Sequence, residues 1–280
     1  MNVHSRKRNV VLWLIGVIIF VWTLMPIYTM VAVALTPGSA VFSSDLWPHH
    51  PTLEGFVKVF TEDHFYLEHF WRQMWNSLFI GVVTAAAVLA IGTMASFAIG
   101  RIRVRGSGFL SSAALFTYVI PMSFLAIPFY RVMHGYGLAD TPWAVILVEV
   151  TFATPYAIFV FLQYSDSIPR ELDEAAKIDG ASLGQIFLNV YLPLMAPALV
   201  AVGTYALLLA WNEYLFAFLL LSSETTVTVP VALGFFLNSD QAPWDLLMAA
   251  AVVYSLPPIV IYYLFRKYMA EGLTVGGIKG

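Results

Sequence analysis

SLFIGVVTAAAVLAIGTMASFAIG, residues 77–100, carries no charged side chain. It is longer than the roughly 20 residues an α-helix needs to cross a bilayer. Similar charge-free runs occupy 10–35, 109–130, 192–212 and 246–265, and a sixth, 142–164, is interrupted only by Glu149. The run from Leu192 continues past Glu213 to about Leu221, long enough to cross at a tilt. Composition agrees with this reading. Sixty per cent of the residues are hydrophobic, only 11% are charged, and the mean hydropathy is +0.78, whereas a soluble domain is about one quarter charged. The chain reads as an all-α integral membrane protein with six transmembrane helices at 10–35, 77–100, 109–133, 142–164, 192–221 and 246–266. No internal repeat or second folded domain is evident.

Six spans place both termini on one side, and the basic residues say which. Of the 14 Lys and Arg, Arg6, Lys7, Arg8, Arg101, Arg103, Arg105, Arg170, Lys177, Arg266, Lys267 and Lys279 fall on one side. Only Lys58, Arg72 and Arg131 fall on the other. Positive residues accumulate on the cytoplasmic side, so the termini and the segment 167–190 are expected there. The first run is too long for the apolar core of a cleaved signal and reads as a retained helix. The segment 36–76 is then extracytoplasmic, with Pro37, Pro48 and Pro51 followed by FYLEHFWRQMW, an aromatic amphipathic piece suited to the membrane interface. The loop 222–245 is also external, and 267–280 is a cytoplasmic tail. With no cysteine, a disulfide framework, a thiol nucleophile and a thiolate zinc site are excluded. No G-x-x-x-x-G-K-[ST] phosphate loop is present.

ELDEAAKIDGASLGQIF, residues 171–187, contrasts with everything around it. Pro169 suits the entry to a helix, and Glu171, Asp173 and Glu174 favour the positive end of the helix dipole. Leu172, Ala175 and Ala176 share one face, while Asp173 and Lys177 are spaced as a surface i, i+4 pair. Gly180 is placed to stop the helix. Ser182 and Gln185 form a capping-box pattern that opens a second short helix, and Pro193 begins the fifth span. The small apolar face would let a partner approach the backbone closely; packing beneath the bundle is the alternative. The spacing also suggests a DNA-binding helix-turn-helix, but Arg170 and Lys177 are outnumbered by Asp166, Glu171, Asp173, Glu174 and Asp179. Nucleic-acid binding needs a basic surface.

These residues resemble the EAA loop of permease subunits of binding-protein-dependent ABC importers, whose pattern is E-A-A, three residues, G, nine residues, I, one residue, L-P. Here Glu174, Ala175, Ala176, Gly180, Val190, Leu192 and Pro193 carry it, with valine replacing isoleucine. The resemblance implies that the loop docks on a cytoplasmic ATPase, through Glu174, Ala175, Ala176, Asp179, Gly180, Leu183, Leu192 and Pro193. The end of the chain, GLTVGGIKG, is similar to the tail of maltose-permease G-type subunits. That implies contacts of Gly276, Gly277 and Lys279 with the ATPases, and its glycines suit a backbone threading a narrow gap.

Glu149 and Glu213 lie within spans, about 12 and 13 Å from the outer surface at 1.5 Å per helical residue. An intramembrane carboxylate is costly and points to function. Trp211, Asn212 and Tyr214 beside Glu213 offer the hydrogen bonds and flat apolar faces that a sugar needs; burial of Glu213 as a structural group is the alternative. In maltose-type relatives the outer loop enters the binding protein, which implicates Gly234, Asn238 and Gln241. His49, His50, His64 and His69 match no ligand spacing, so no metal is expected.

The resemblance therefore implies a non-enzymatic permease subunit in a bacterial plasma membrane, importing a carbohydrate or a derivative. Its partners would be a homologous second permease, an ATPase homodimer, an extracytoplasmic binding protein and membrane lipid, with no nucleic acid. It would bind no cofactor directly; ATP and Mg would belong to the ATPases. The competing reading is a proton-coupled secondary transporter using Glu149 or Glu213. That would call for inverted repeats and broken helices near the midplane, neither of which the sequence displays.

Overall fold

The computed structural model describes residues 3–42, 45–102, 106, 109, 120–238 and 242–274, and the regular elements among them are helical. In chain order these are α1 (Val3–Ala34), α2 (Glu54–Thr61), α3 (Phe70–Phe97), α4 (Ala126–Gly135), α5 (Pro142–Ser165), α6 (Glu171–Ile178), α7 (Leu183–Ile186), α8 (Ala196–Trp211), α9 (Leu215–Leu220), α10 (Val229–Phe235) and α11 (Trp244–Thr274). Among the described residues, Val11–Ala34, Phe65–Ile102, Pro142–Ser165 and Trp244–Arg266 are continuous helical stretches long and apolar enough to cross a bilayer. Of the expected span 109–133, residues 110–119 lie outside the described residues. A 3-10 turn at Met122–Leu125 leads from there into α4.

The expected single span at 192–221 is interrupted. Leu183–Leu194 meets Ala196–Trp211 at 77°, with Met195 fully buried at the corner. Pro193 and Pro197 flank that corner, and each lacks the N–H that a continuing helix would use. The helix then unwinds over Asn212–Tyr214 before α9 begins. Apolar composition set the length of this run, but the bend and the break depend on local hydrogen bonding, to which hydropathy is blind.

The chain divides into two compact units, Met1–Phe70 with Leu233–Leu256, and Trp71–Ala232 with Pro257–Gly280. In the first, Thr52 N donates to Leu35 O at 2.8 Å. A Cβ at Gly55 would stand 3.3 Å from that of Ala249, and the Tyr66 and Phe236 rings stack at 4.4 Å. Ala32 and Ala34 are buried, whereas the large apolar side chains of α1 from Val11 to Tyr28 are 41–79% exposed. A helix apolar on every side is suited to lipid or to another membrane helix.

In the second unit, α3, α5 and α8 meet through small side chains: Ala85, Ala153, Ala157, Ala198 and Ala206 are buried together with Phe161, Tyr191 and Met195. Small residues allow membrane helices to approach closely. Gly92 is among the tightest such points, since a Cβ there would lie 3.1 Å from both Ala157 Cβ and Phe161 Cε2. Gly92→Val is expected to cost about 1–3 kcal/mol through overpacking, seen as a lowered Tm of the purified chain in detergent. Gly16→Val, with nothing within 4 Å, serves as the unaffected control.

Candidate functional site

The charged loop folds as its local signals dictate. Glu171, Asp173 and Glu174 occupy the first turn of α6. Gly180 follows at φ +84°, with Gly180 N donating to Lys177 O at 3.0 Å and Ala181 N to Ala176 O at 2.9 Å. This nested pair closes the helix C-terminus and calls for a residue at ease in the left-handed region. The capping box is complete: Ser182 N donates to Gln185 Oε1 at 2.8 Å, and Gln185 N to Ser182 Oγ at 3.4 Å.

Burial divides the expected docking face. Leu172, Glu174, Ala175, Asp179, Gly180, Leu183 and Pro193 are exposed, Ala176 and Leu192 are half-buried, and Ala176 packs against the core. Sequence reasoning missed Ile178, which is 87% exposed beside Gly180. With Leu183 it makes an apolar tip on an otherwise charged loop. An isoleucine one turn after Glu174 reads as a core residue from periodicity alone, and only the fold shows that it points away.

Asp173 is a correction. Its spacing suggested a surface pair with Lys177, yet it is buried, and its Oδ2 lies 3.2 Å from Arg101 Nη1. Arg101 stands in the π-helical turn Ala98–Ile102 that ends α3. Its Nε donates to Ser165 Oγ at 3.2 Å, and its Nη2 to the carbonyls of Ser165 and Ile168, each at 3.1 Å. The guanidinium also lies 5.8 Å from the Tyr191 ring centroid. The sequence marked Arg101 only as a cytoplasmic charge. No pattern along the chain connects it to a partner 72 positions away.

Glu149 is buried on α5, and Glu213 lies in the unwound Asn212–Tyr214 segment. The two carboxyl groups are close neighbours. Glu213 Oε1 also accepts from Phe216 N at 2.6 Å, so this carboxyl group caps α9. The neighbours expected around it diverge. Trp211 is 1% exposed and belongs to the core. Asn212 is exposed and donates to Leu208 O at 2.8 Å, while Tyr214 is exposed and stacks on Phe218 at 5.7 Å. No break was legible in this apolar run, but the structure contains one here.

In the segment 222–245, Gly234 sits within α10, not in an open loop, and Asn238 ends the 3-10 turn that follows. Gln241 lies outside the described residues, as do Gly276, Gly277 and Lys279 of the tail. The loop after α9 is fastened at several points. Asn76 Nδ2 donates to Thr225 O at 2.9 Å and to Val227 O at 3.0 Å, and Val229 N donates to Ser77 Oγ at 3.1 Å. Asp140, itself at φ +57°, accepts from Ser222 N at 2.8 Å, from Ser223 N at 3.0 Å and from the hydroxyls of Ser223 and Thr226. Burial pushes the Asp140 carboxyl up, but these four hydrogen bonds outweigh it and hold the group well below the usual carboxylate range.

The profile of the family described as "Binding-protein-dependent transport system inner membrane component" matches residues 92–275. The chain is 34% identical over 261 residues to the trehalose transport system permease protein SugB of Mycobacterium tuberculosis, covering 92% of this chain and 93% of that protein. It is 30% identical over 272 residues to the trehalose/maltose transport system permease protein MalG of Thermococcus litoralis, covering 96% and 97% respectively. Among solved structures, a chain of a bacterial ABC transporter involved in the import of the acidic polysaccharide alginate superposes with a TM-score of 0.80 at 24% identity, over 96% of this chain and 99% of that one. That similarity establishes the fold.

The Asp140 geometry makes a prediction. Asp140→Ala should cost about 1–2 kcal/mol, the worth of a few charge-assisted bonds discounted for partial exposure, with faster amide exchange at Ser222 and Ser223. Asp140→Asn, which tolerates positive φ and keeps one acceptor, should cost less. Because the folded pKa is depressed, the contribution of the carboxylate is complete above the unfolded value of about 3.9. It is lost as the pH falls from there through the lower folded value. Thermal melts of wild type and Asp140→Ala should therefore differ by a constant amount between pH 6 and 8 and converge in acid.

Proposed function

Because the chain belongs to the family of binding-protein-dependent transport system inner membrane components, we propose that it is a permease subunit of an ABC importer that moves a carbohydrate or a carbohydrate derivative. It is a non-catalytic membrane subunit. A trehalose and a trehalose/maltose permease among its relatives support the carbohydrate class. The proton-coupled alternative loses its ground to family membership, even though the broken helix it called for is present at Asn212–Tyr214.

The observation that carries the reading is the exposed loop 171–187. Its backbone is locked by the Gly180 turn and the capping box, and it presents Ala175, Ile178 and Leu183 outward. Apolar side chains held on a rigid, charged helix pair suit a cleft in a partner protein. We assign that partner as an ATPase homodimer, which would supply ATP and Mg. A homologous second permease would complete the pathway, and an extracytoplasmic binding protein would deliver substrate. Gly234, Asn238 and Gln241 are the proposed contact with the binding protein, and Gly276, Gly277 and Lys279 the proposed tail contact with the ATPases. The spans are proposed at 10–35, 77–100, 109–133, 142–164, 192–221 and 246–266, the fifth with its break. Glu149, Glu213 and Tyr214 are the proposed pathway residues, with Asn212 at the break and Trp211 supporting from the core.

Reconstitution tests the whole. Uptake of trehalose or maltose into proteoliposomes should require the ATPases, ATP and the binding protein; uptake on a proton gradient alone overturns the reading. Ile178→Asp, at a side chain 87% exposed, should release the ATPases during purification without altering the Tm of the isolated chain. Gly180→Val should add a conformational cost of about 1–2 kcal/mol at the left-handed residue and lower transport per ATP.

Glu213→Gln separates the two roles of that carboxyl group, since the amide oxygen can still cap Phe216 N while the charge is lost. Transport should fall with assembly intact, and unchanged uptake would leave Glu213 as a helix cap alone.

A further inference from the structure

We propose that Arg101 and Asp173 are positioning residues for the transport step, a clamp through which movement of α6 reaches the membrane spans. The proposal rests on the reading above that α6 is the element a partner ATPase moves. Along α6, Glu171, Leu172, Glu174, Ala175, Lys177 and Ile178 face outward; Asp173 is buried and Ala176 half-buried. The inward grip of this helix is therefore one carboxylate and one methyl group.

The carboxylate meets a single guanidinium that holds three other elements at once. Arg101 belongs to the end of α3. It reaches the end of α5 through Ser165 and the turn beyond it through Ile168 O. It also lies over the ring of Tyr191 in the π-helical turn Phe187–Tyr191, ahead of the corner from which α8 departs. Tyr191 Oη and Ser96 Oγ, 3.0 Å apart, tie that turn back to α3, and Arg170 Nη2 donates to Gly100 O at 3.4 Å. The Arg101 and Asp173 side chains are 5% and 12% exposed, so water screens the pair little. The planar fork of arginine is what allows one side chain to satisfy acceptors on several elements; a lysine has the charge without the fork.

A displacement of α6 must either carry Arg101 with it or break a buried ion pair. The first route moves the ends of α3 and α5 and the corner before α8 together. The pair is thus a rigid link between the docking helix and the three helices that line the core of this unit, and its loss should leave α6 free to move alone.

The chain has no cysteine, so a single spin label can be attached to the purified subunit before it is assembled with its partners. Lys177→Cys on α6 and Met94→Cys on α3, both at exposed positions, are labelled in this way and assembled into the complete importer with both permeases, ATPases and binding protein. Spectra are compared before and after trapping with ATP and vanadate. In the unmutated complex both labels should change. With Asp173→Asn, which preserves shape and removes charge, and with Arg101→Lys, the Lys177 label should still change while the Met94 response falls about tenfold, the scale of a typical coupling energy. Combining the two substitutions should add nothing further, and Asp173→Glu should restore the response.

A full Met94 response in Asp173→Asn overturns the proposal, as does an unmoved Met94 in the unmutated complex. Failure of the Asp173→Asn complex to assemble also overturns it, by assigning the pair to folding alone. The parent reading fails separately: if Ile178→Asp leaves the ATPases bound, α6 is not the docking helix, whatever the clamp variants do.

Discussion

The Arg101 guanidinium is the constraint on which the end of the second unit that carries α6 depends. Four helical segments end near it, and the peptide groups at helix ends lack intrahelical partners. Away from water, those groups must be satisfied locally. Arg101 serves the carbonyl of Ser165 at the end of α5 and that of Ile168 in the turn beyond it, while its charge is balanced by Asp173. Removing one partner of such a buried pair typically costs about 3–5 kcal/mol, because the other charge is left uncompensated. The same contact thus secures the loop 166–170 and fixes the direction in which α6 presents its outer face.

The middle of the unit follows a different logic. There α3, α5 and α8 approach closely because Gly92, Ala153, Ala157, Ala198 and Ala206 leave room. In lipid, where apolar burial itself drives little association, close packing has to supply the attraction. Against this tight background the Asn212–Tyr214 break is conspicuous. Unwound backbone at membrane depth persists only where polar groups satisfy it. Glu213 does so by accepting from Phe216 N in the first turn of α9. A proposed pathway residue therefore also holds the backbone in shape.

Much of the charged loop 171–187 was legible in advance because its signals are local. An acidic first turn, a glycine stop and a Ser-x-x-Gln box act over three or four residues, and each is present in the structure. Asp173 was misplaced because i, i+4 spacing names a neighbour on the helix but is silent about which side faces the core. Ile178 was overlooked for the complementary reason, since an apolar side chain on a short helix is ordinarily buried. The stretch around Gly234 was read as a loop reaching the binding protein, whereas α10 runs through it, and the attachment of the preceding segment to Asp140, Gln73, Asn76 and Ser77 spans up to 152 positions.

By itself, the sequence determined that this chain is a helical membrane protein and that a charged helix pair interrupts its apolar runs. Hydropathy, charge and capping are properties of contiguous residues and need no fold to act. Only the tertiary structure decided which of those residues work together: Arg101 with Asp173, Glu149 with Glu213, Asp140 with the loop after α9. Those pairings join groups far apart in the chain. The Arg101–Asp173 pair draws its strength from exclusion of water and a 3.2 Å separation, and the Asp140 bonds from several donors converging on one carboxylate; both exist only once the helices have packed.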